Sequence, residues 1–570
     1  RAKRTLFNSK RNPSMGSAVE SGWVLTLSLA ATCGGVVAAD PSHLLAATLL
    51  FLLAYAAAVL LYWAVPGGPA WGKYRLSMLR RPPGQSDFAA IPGPRGLPVV
   101  GSMGLMTGLA HRKLAAAAAV SRAERLMAFS IGSTRAVVTA HPDVAREILS
   151  GPAFADRPVK ESAYGLMFHR AIGFAPYGPH WRGLRRVAAA HLFSPKKIAA
   201  SAAQRAAIAA QMVSALRPNE TKDADHILAG REVEVRGVLK RASLHNVMWS
   251  VFGRRYELEL GAESEETEEL RVLVEEGYDI LAKPNWSDHL PLLSRFDPQK
   301  IRFRCSRLVP RVNRFVNRII QEHRAGRSSH ADAPTDFVGV LLSLQGSERL
   351  TDPDIVAVLW VSPRDDISGY GHGGSVDRVG PGRLVLDRDV QARVHEELDR
   401  VVGGRPVAEP DLGSLPYLHA VLKEVLRLHP PGPLLSWARL ATTDVHVDGR
   451  LVPAGTTAMV NMWAITHDPR VWPDPLEFRP DRFVGPGAAE LPLLLGSDPR
   501  LAPFGSGRRS CPGKPLAMAT VGLWVATLLH EFEFLPPSGG TRVCLSEVLR
   551  LSCEMASPLT VRLRPRRTLA

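Results

Sequence analysis

Two uncharged, apolar runs open the pattern of hydrophobic and polar positions along this chain. The first covers residues 21–39, and the second is the 22 residues of 44–65. About 20 apolar residues are enough for a helix to cross a bilayer. Because Tyr62 and Trp63 suit the membrane interface and basic residues follow them, the pattern predicts a transmembrane helix over 44–65 with its basic side in the cytosol. Whether 21–39 also spans the membrane stays open, and a buried core helix is the alternative for 44–65.

The segments on either side of this anchor differ from it in charge and composition. Residues 1–14 carry five Lys or Arg residues and no acid, and the first methionine is Met15. We interpret 1–14 as a spurious upstream extension and 15–65 as the membrane anchor region; a short basic tail is the alternative. Residues 66–98 are rich in Pro and Gly and carry further basic residues. Because Pro breaks helices and stiffens a chain, we expect 66–98 to be a non-helical basic linker and proline hinge.

From residue 99 onward, apolar positions at helical spacing dominate and strand-like pieces are short. Residues 128–140 are typical of a hairpin around Gly132, and a helix is predicted from Pro142. Another helix follows Pro179 and places Trp181 and Arg185 four residues apart on one face; an indole packed under a surface Arg is the alternative interpretation. The pattern predicts a mainly α domain with small β-sheets (α+β) over 99–570.

Apolar residues also recur every three or four positions between 416 and 428, which predicts an amphipathic helix. Glu424 and Arg427 lie one turn apart on it, where a carboxylate and a guanidinium can pair. About 55 residues later the chain reads FRPDRF, and Arg482 is the fifth residue of that segment. An E-x-x-R pair alone arises often by chance. It becomes evidence for a specific protein family only together with the segments that follow it.

The stretch 362–382 interrupts the helical pattern. Thr351 suits an N-cap and the residues after it are largely apolar, so a helix is predicted from there. In 362–382, eight of 21 residues are Gly or Pro and five are charged. At about 1 kcal/mol per Gly and about 3 kcal/mol per Pro, we expect no stable helix over 362–382. The helical pattern resumes at Leu384.

Composition narrows the class of protein. The chain has 570 residues, and 46% of them are hydrophobic, which suits a large globular core. Its five cysteines are scattered and odd in number, which argues against a disulfide framework and for a reducing compartment. No nucleic-acid-binding motif accompanies the net charge of +16. We therefore expect a membrane surface or an acidic protein as partner, and no nucleic acid.

Residues 504–513, which read FGSGRRSCPG, carry the clearest chemical signal. The glycines permit close backbone approach, and the apolar run that follows predicts a helix whose positive end favours an ionised Cys511. Arg509 can pair with an anionic group. Because no other Cys or His lies beside it, a single thiolate suits haem iron better than zinc, which takes about four protein ligands at structural sites. A buried cysteine in a Gly-rich turn is the alternative.

The pattern F-x-x-G-x-R-x-C-x-G, formed by Phe504, Gly507, Arg509, Cys511 and Gly513, resembles the haem-binding loop of cytochrome P-450 monooxygenases. W-x-x-x-R, E-x-x-R and FRPDRF precede it in the order typical of that family. With its long apolar N-terminus and the text VQARVHEELDRVVG, the chain is most similar to the plant-specific 78A subfamily. The resemblance implies the cytochrome P-450 fold behind an N-terminal transmembrane helix, and only 362–382 departs from it.

The resemblance also implies roles for individual residues. Heme b (iron protoporphyrin IX) would take Cys511 as its axial metal ligand, and a buried ion network would join Glu424, Arg427 and Arg482. Further residues would contact the haem or its propionates: Trp181, Arg185, Arg439, Phe504, Arg509 and Gly513. The family's acid–Thr pair, which delivers protons to bound dioxygen, would lie within 362–382, where no catalytic residue is identifiable.

A member of this family would insert one atom of dioxygen into a small lipophilic substrate, which the subfamily implies to be fatty-acid-like. By resemblance, the substrate pocket would be formed by residues 156–177, residues 431–437 and the region near Met555. The alternative is a haem-binding member of the family without oxygenase activity, because its central oxygen-activating helix is disrupted. The residues do not identify the physiological substrate.

The resemblance implies partners and a location as well. Electrons would come from NADPH through NADPH–cytochrome P-450 reductase, whose acidic surface would be attracted by Arg508, Arg509 and Lys514. The protein would be single-pass in the endoplasmic reticulum membrane, with its catalytic domain in the cytosol.

The unusual stretch 362–382 has one further explanation. Residues 368–382 can be back-translated so that the same bases, read one position later, give RATGTVAVLIEWVLA, an apolar helix with small residues and Thr. Residues 364–367 can yield EMIF in the same frame. Our hypothesis is that two compensating frame errors replaced the central helix with out-of-frame text; a genuine Gly-rich insertion is the alternative. The coding nucleotides decide between the two.

Overall fold

Helices make up most of the structure, a computed structural model that describes residues 41–78, 89–217, 231–256, 264–326, 336–366, 373–435, 438–485, 498–538 and 543–567. The chain divides between Leu61 and Tyr62 into two compact units. The helices are α1 Pro41–Trp63, α2 Pro69–Met78, α3 Ala110–Val120, α4 Pro142–Ser150, α5 Glu161–Gly165, α6 Pro179–His191, α7 Pro195–Ala200, α8 Ala202–Leu216, α9 Val235–Phe252, α10 Glu265–Ala282, α11 Ile301–Gly326, α12 Phe337–Ser343, α13 Asp352–Asp366, α14 Gly373–Leu386, α15 Arg388–Val401, α16 Pro416–Leu428, α17 Met462–Thr466 and α18 Lys514–Glu531.

The strands are short and form small sheets. They are β1 Met127–Ile131, β2 Thr134–Thr139, β3 Arg231–Glu234, β4 Arg439–Leu440, β5 Val445–Val447, β6 Arg450–Val452, β7 Thr457–Val460, β8 Phe532–Leu535, β9 Glu547–Leu549, β10 Cys553–Met555 and β11 Thr560–Pro565. Two larger sheets have the orders β1-β2-β7-β4 and β3-β11-β8, and β5–β6 and β9–β10 are separate pairs. β1 and β2 pair antiparallel around Gly132, whose φ is +55°, and α4 follows at Pro142, so both predictions for this region are confirmed.

Helix α1 is the one helix among the described residues that is long and apolar enough to cross a membrane. Its apolar window, Leu45–Trp63, is not buried by other parts of the protein. This agrees with the predicted transmembrane helix, except that the helix begins at Pro41 and ends at Trp63. The earlier apolar run at 21–39 lies outside the described residues.

Helix α2 corrects the expectation that residues 66–98 contain no helix. It covers Pro69–Met78, and its only proline stands in the first turn, where a missing N–H costs nothing. Trp71 is buried, and its indole N–H donates to the carbonyl oxygens of Phe129 (3.1 Å) and Ala136 (3.3 Å). The expectation failed because it weighed the Pro and Gly content of the whole segment and missed that eight consecutive residues after Ala70 contain no proline.

Helices α13 and α14 correct the expectation that 362–382 cannot be helical. α13 continues to Asp366 and α14 begins at Gly373, so the expectation is wrong for 362–366 and 373–382, while 367–372 lie outside the described residues. The C-terminal part of α14 packs against α9, α16 and α18, and Pro381, Gly382 and Leu384 are buried there. Tertiary packing therefore outweighs the low helix propensity of this stretch.

Two apolar cores hold the elements that matter for function. The first is built on α16 and α18 and includes Phe504 at the start of the cysteine loop. The second is built on helices α9 to α13 and includes Phe168, Leu341 and Trp360. Helix α9 contributes residues to both cores, and the cavity described next is lined from both sides.

Candidate active site

The cysteine loop, residues 504–513, is held in shape by backbone contacts. The N–H of Cys511 donates to the carbonyl oxygen of Phe504 at 2.9 Å, which closes the loop. Gly507 has a φ of +68°, and a Cβ on it would lie 2.1 Å from the carbonyl oxygen of Leu149, so only glycine fits. Helix α18 begins at Lys514, and its positive end follows the cysteine directly. The local structure therefore favours a thiolate at Cys511.

Four arginine side chains line the same cavity as Cys511, and three of them, Arg185, Arg439 and Arg509, lie beside the cysteine loop. Arg185 comes from α6 and Arg439 from β4, and both donate to carbonyl oxygens of the cysteine loop, at 2.7 Å and 3.3 Å. Arg509 belongs to the loop and donates to the carbonyl oxygens of two residues across the cavity wall, Ala155 (2.9 Å) and Ala175 (2.8 Å). These bonds fix all three guanidinium groups beside the loop.

The charges of these arginines are not balanced by the protein alone. Burial, and then the charges of Arg509 and Arg185, lowers the pKa of Arg439 to about 9. Burial lowers the pKa of Arg509 to about 10, although Asp156, 3.6 Å away, acts in the opposite direction. One Nη atom each of Arg439 and Arg509 is buried and has no hydrogen-bond partner in the described structure. Because such groups are costly to bury, the cluster suits a ligand with carboxylate groups.

Trp181 supports this cluster from one side. Its ring centroid lies 4.4 Å from the guanidinium carbon of Arg509 and 5.6 Å from that of Arg185, within the range of cation–π interaction. Its indole N–H donates to the carbonyl oxygen of Ile172 at 3.1 Å. The structure thus brings Trp181 and Arg185 together with Arg509, and a direct bond from the indole to a propionate stays a prediction.

An apolar cavity of about 1680 Å³, including its open mouth, lies above Cys511. Its floor is formed by the cysteine loop and the arginines, and Gly513 lies there against the ring of Phe193, which a Cβ would approach to 3.1 Å. The rest of the wall is mainly apolar, with contributions from Phe168, Phe174, Leu341, Val358, Leu435 and Leu551.

The cavity wall agrees only in part with the regions expected to form the substrate pocket. Residues from 157 to 174 and Leu435 line it, whereas 436–437 lie outside the described residues. The β9–β10 hairpin reaches the cavity through its tip, Leu551 and Ser552, while Met555 is buried in the first core. Leu551 could not be predicted from the sequence, because its position depends on the register of β9 and β10, which no local pattern fixes.

No acid–Thr pair is found in the part of the cavity wall that the structure describes. None of the lining residues is Asp, Glu or Thr. Helix α13 contributes Val358 to the wall, but the side chains of 361–379, where the resemblance would place the pair, lie outside the described residues. The described structure therefore defines the cysteine side of the site. On the opposite side, an acid–Thr pair is found neither in the sequence of 362–382 nor among the described lining residues.

A buried ion network lies behind the cysteine side. Arg427 donates from Nε and Nη2 to the two carboxylate oxygens of Glu424, both at 2.8 Å, and both side chains are fully buried. Arg482 Nε donates to the same carboxylate at 3.2 Å, and the backbone N–H of Arg479 does so at 2.9 Å. The remaining donors of Arg427 bind carbonyl oxygens near 466 and 475–477. The network ties α16 to the segment that leads to the cysteine loop.

Comparison with known proteins gives consistent matches over the same region. A family model described as "Cytochrome P450" matches residues 91–552. Cytochrome P450 78A9 of Arabidopsis thaliana is 59% identical over 530 residues, which cover 92% of this chain and 95% of that protein. Cytochrome P450 78A3 of Glycine max is 57% identical over 507 residues (89% and 92%). Flavonoid 3'-monooxygenase CYP75B3 of Oryza sativa subsp. japonica is 34% identical over 496 residues (83% and 90%).

Proposed function

The chain belongs to the cytochrome P450 family of haem-thiolate monooxygenases, and on this premise we propose that it hydroxylates a small lipophilic, fatty-acid-like substrate with electrons from NADPH. The family implies haem iron bound by a cysteine thiolate. The observation that carries the proposal is the cavity that combines Cys511 with Arg185, Arg439 and Arg509 under an apolar wall.

The residues of this cavity fit heme b. A propionate-bearing porphyrin held by a thiolate would need that ligand for its metal, cations for its carboxylates and apolar surface for its rings. Cys511 supplies the first, and the unpartnered Nη atoms of Arg439 and Arg509 supply donors for two carboxylates. Phe504 and the apolar wall supply the third. Two carboxylates would also offset the burial and the mutual repulsion that lower the pKa of Arg439.

The protein's own groups would divide the work as follows. Haem supplies dioxygen binding and two-electron chemistry when it is held by a thiolate, which favours O–O cleavage. Cys511 provides that thiolate, and the backbone contact to Phe504 fixes its position. Arg185, Arg439 and Arg509 would bind the carboxylates of the haem, and the apolar wall would exclude water and hold the substrate.

The opposite wall favours a ligand with a long apolar chain. The described lining on that side consists mainly of Phe, Leu, Val and Ala residues, and it contains no carboxylate. A lipid chain buries well against such a surface, because apolar contact contributes about 25 cal/mol per Å². This supports a lipophilic substrate.

The proposed partners and location follow from the surface. Helix α1 fits a membrane anchor, and we propose the endoplasmic reticulum membrane with the catalytic domain in the cytosol. Arg508 is exposed beside the cysteine loop and Lys514 is half-exposed, so these two would attract the acidic surface of NADPH–cytochrome P450 reductase. Arg509, expected to join them, is buried at the cavity and cannot do so.

The proposal is tested by isotope labelling. The full chain, in membranes with the reductase and NADPH, is supplied with dodecanoate under ¹⁸O₂. The expected result is a hydroxylated product that carries one ¹⁸O atom, formed by the wild-type protein and by Cys544→Ser, whose thiol is exposed and remote in the chain. Cys511→Ser should form none. A product labelled from water, or the same yield from Cys511→Ser, would contradict the proposal.

A second candidate is a haem-binding member of the family without oxygenase activity. It is favoured by 362–382, in which no acid–Thr pair can be placed. In that case the protein would bind haem through Cys511 and yet form no labelled product. The coding nucleotides separate the two causes. If the bases of 368–382 read RATGTVAVLIEWVLA in the neighbouring frame, the disruption belongs to the written sequence and not to the gene.

A further inference from the structure

A cluster of three metal-binding residue types lies outside the candidate active site. His111 comes from α3, Glu547 from β9 and Cys553 from β10. His111 Nε2 is 3.1 Å from Glu547 Oε1, and Cys553 Sγ is 3.1 Å from Glu547 Oε2. One ligand atom from each residue lies within 4.8 Å of the other two. His111 and Cys553 are buried, and the side chain of Glu547 is 12% exposed.

The backbone holds these three side chains in place. Glu547 pairs with Met555 and Leu549 with Cys553 in the β9–β10 ladder, so Glu547 and Cys553 are diagonal neighbours on one face of the hairpin. The carbonyl oxygen of His111 accepts a hydrogen bond from Asn461 Nδ2 at 2.7 Å. The imidazole also packs against Trp463, with ring centroids 5.4 Å apart. A preformed arrangement of this kind costs little further ordering when an ion binds.

From this geometry we propose that His111, Glu547 and Cys553 form a zinc site that joins α3 to the β9–β10 hairpin. Imidazole, carboxylate and thiolate are the ligand types that Zn²⁺ takes, at about 2.0–2.3 Å. Tetrahedral ligands at those bond lengths lie about 3.3–3.7 Å apart. The present separations of 3.1 Å and at most 4.8 Å reach that spacing with changes of no more than about 1.5 Å. A water molecule completes the four ligands.

Zinc binding at this site requires one proton to leave and one cation to move. Cys553 gives up its Sγ–H proton to solvent, and no electron is transferred. Arg112 Nε, which donates to Glu547 Oε1 at 2.6 Å, gives way to the ion. It can do so because its side chain is 52% exposed and also contacts the ring of Trp463.

The ion would stabilise a part of the protein that matters for ligand binding. Leu551, at the tip of the β9–β10 hairpin, lines both the cavity above Cys511 and a second apolar cavity that opens beside α3. A metal bond between the hairpin and α3 fixes the tip against both cavities. This zinc site is independent of the proposed function, because none of its ligands lines the cavity above Cys511.

The proposed site can be tested by adding zinc as the only ligand. The full chain, purified in detergent, is dialysed to equilibrium against zinc chloride, and its zinc content is measured by mass spectrometry. We expect one zinc ion per chain, and zinc-edge X-ray absorption should show one sulfur ligand at about 2.3 Å with nitrogen or oxygen at about 2.0–2.2 Å. A zinc environment of oxygen and nitrogen only would overturn the proposal, whatever the variants do.

Variants identify the ligands. Cys553→Ser and His111→Gln should bind zinc about 100-fold more weakly or not at all. Cys544 has an exposed thiol and lies nine residues before Cys553, so Cys544→Ser should bind zinc as the wild type does. The melting temperature should rise with zinc in the wild type and in Cys544→Ser only. Equal zinc binding by Cys553→Ser would overturn the proposal. If Cys553→Ser fails to fold, the absorption spectrum of the wild type decides alone.

Discussion

The arginines beside Cys511 are charged groups that the protein leaves short of partners. Burial and mutual repulsion lower the pKa of Arg439 to about 9, which means that the surroundings disfavour its charged form. The site therefore carries an unfavourable charge that only an anionic ligand relieves. Similar unbalanced charges are characteristic of binding sites, because residues that serve stability alone are normally paired.

Replacing Arg439 separates stability from cofactor binding. Arg439→Leu should leave the cofactor-free protein at least as stable as the wild type, because the described residues give this buried charge a backbone carbonyl but no carboxylate. It should also lose haem about 10- to 100-fold faster, as expected for a lost charge-assisted bond of about 1.5–3 kcal/mol. Haem transfer to apomyoglobin measures the rate. Arg508→Leu, an exposed neighbour of the loop, is the control and should match the wild type; a stable Arg439→Leu with normal retention contradicts the assignment.

Two glycines of the cysteine loop offer a matched pair of substitutions. Gly505 and Gly507 both have positive φ, +71° and +68°, so an added side chain strains either by about 1–2 kcal/mol. A Cβ at Gly505 meets nothing within 4 Å, whereas one at Gly507 lies 2.1 Å from the carbonyl oxygen of Leu149. Gly507→Ala should therefore lower the haem content strongly and Gly505→Ala only slightly, measured by pyridine haemochrome. Equal losses would mean that the contact with Leu149 does not shape the loop.

At the scale of elements, local sequence patterns correctly predict a helix or hairpin where a single short motif determines it. The hairpin at Gly132, helix α16 and the helix after Cys511 follow from spacing and from turn residues. α2 and α14 do not, because the packing of Trp71 in one and of Leu384 in the other outweighs an unfavourable composition. The cysteine loop could be identified from sequence, but the partner of the Trp181 indole, Ile172, depends on how α6 meets the preceding loop.

The ion network between α16 and the segment before the cysteine loop should be essential for stability. Glu424→Gln leaves Arg427 and Arg482 without their shared carboxylate in a fully buried place, which typically costs about 3–5 kcal/mol. Urea unfolding of the two proteins gives the difference. Glu477→Gln is the control, because its side chain is 67% exposed although its backbone contacts Arg427. A loss below about 1 kcal/mol for Glu424→Gln would show that the network is not a stabilising one.

The central helix can be tested by restoring it. A variant in which 364–382 is replaced by EMIFRATGTVAVLIEWVLA should be more stable than the written chain, because it removes seven glycines and prolines and adds one glycine. It should also gain NADPH-dependent turnover. Its melting temperature and its yield of labelled product are compared with those of the written chain. If neither rises, the frame hypothesis is wrong and 362–382 is a genuine insertion.

For the whole molecule, the contacts that build function join distant parts of the sequence. The cavity is lined by residues of α6, α12, α13, β4 and the hairpin tip at Leu551. No local sequence pattern predicts that these elements contact one another. His111 and Glu547 are 436 residues apart and still bond at 3.1 Å. The family resemblance could imply the fold and the residues around Cys511, whereas contacts of this kind required the structure.

The central claim is that Cys511 and the arginine cluster hold haem through a thiolate bond. The most direct measurement is the difference spectrum of the reduced full-length protein with and without carbon monoxide. The wild type and Cys544→Ser should show the Soret band at the position characteristic of a thiolate ligand, and Cys511→His should lose it while retaining haem. A wild-type protein without that band, or a Cys511→His variant that keeps it, would contradict the account.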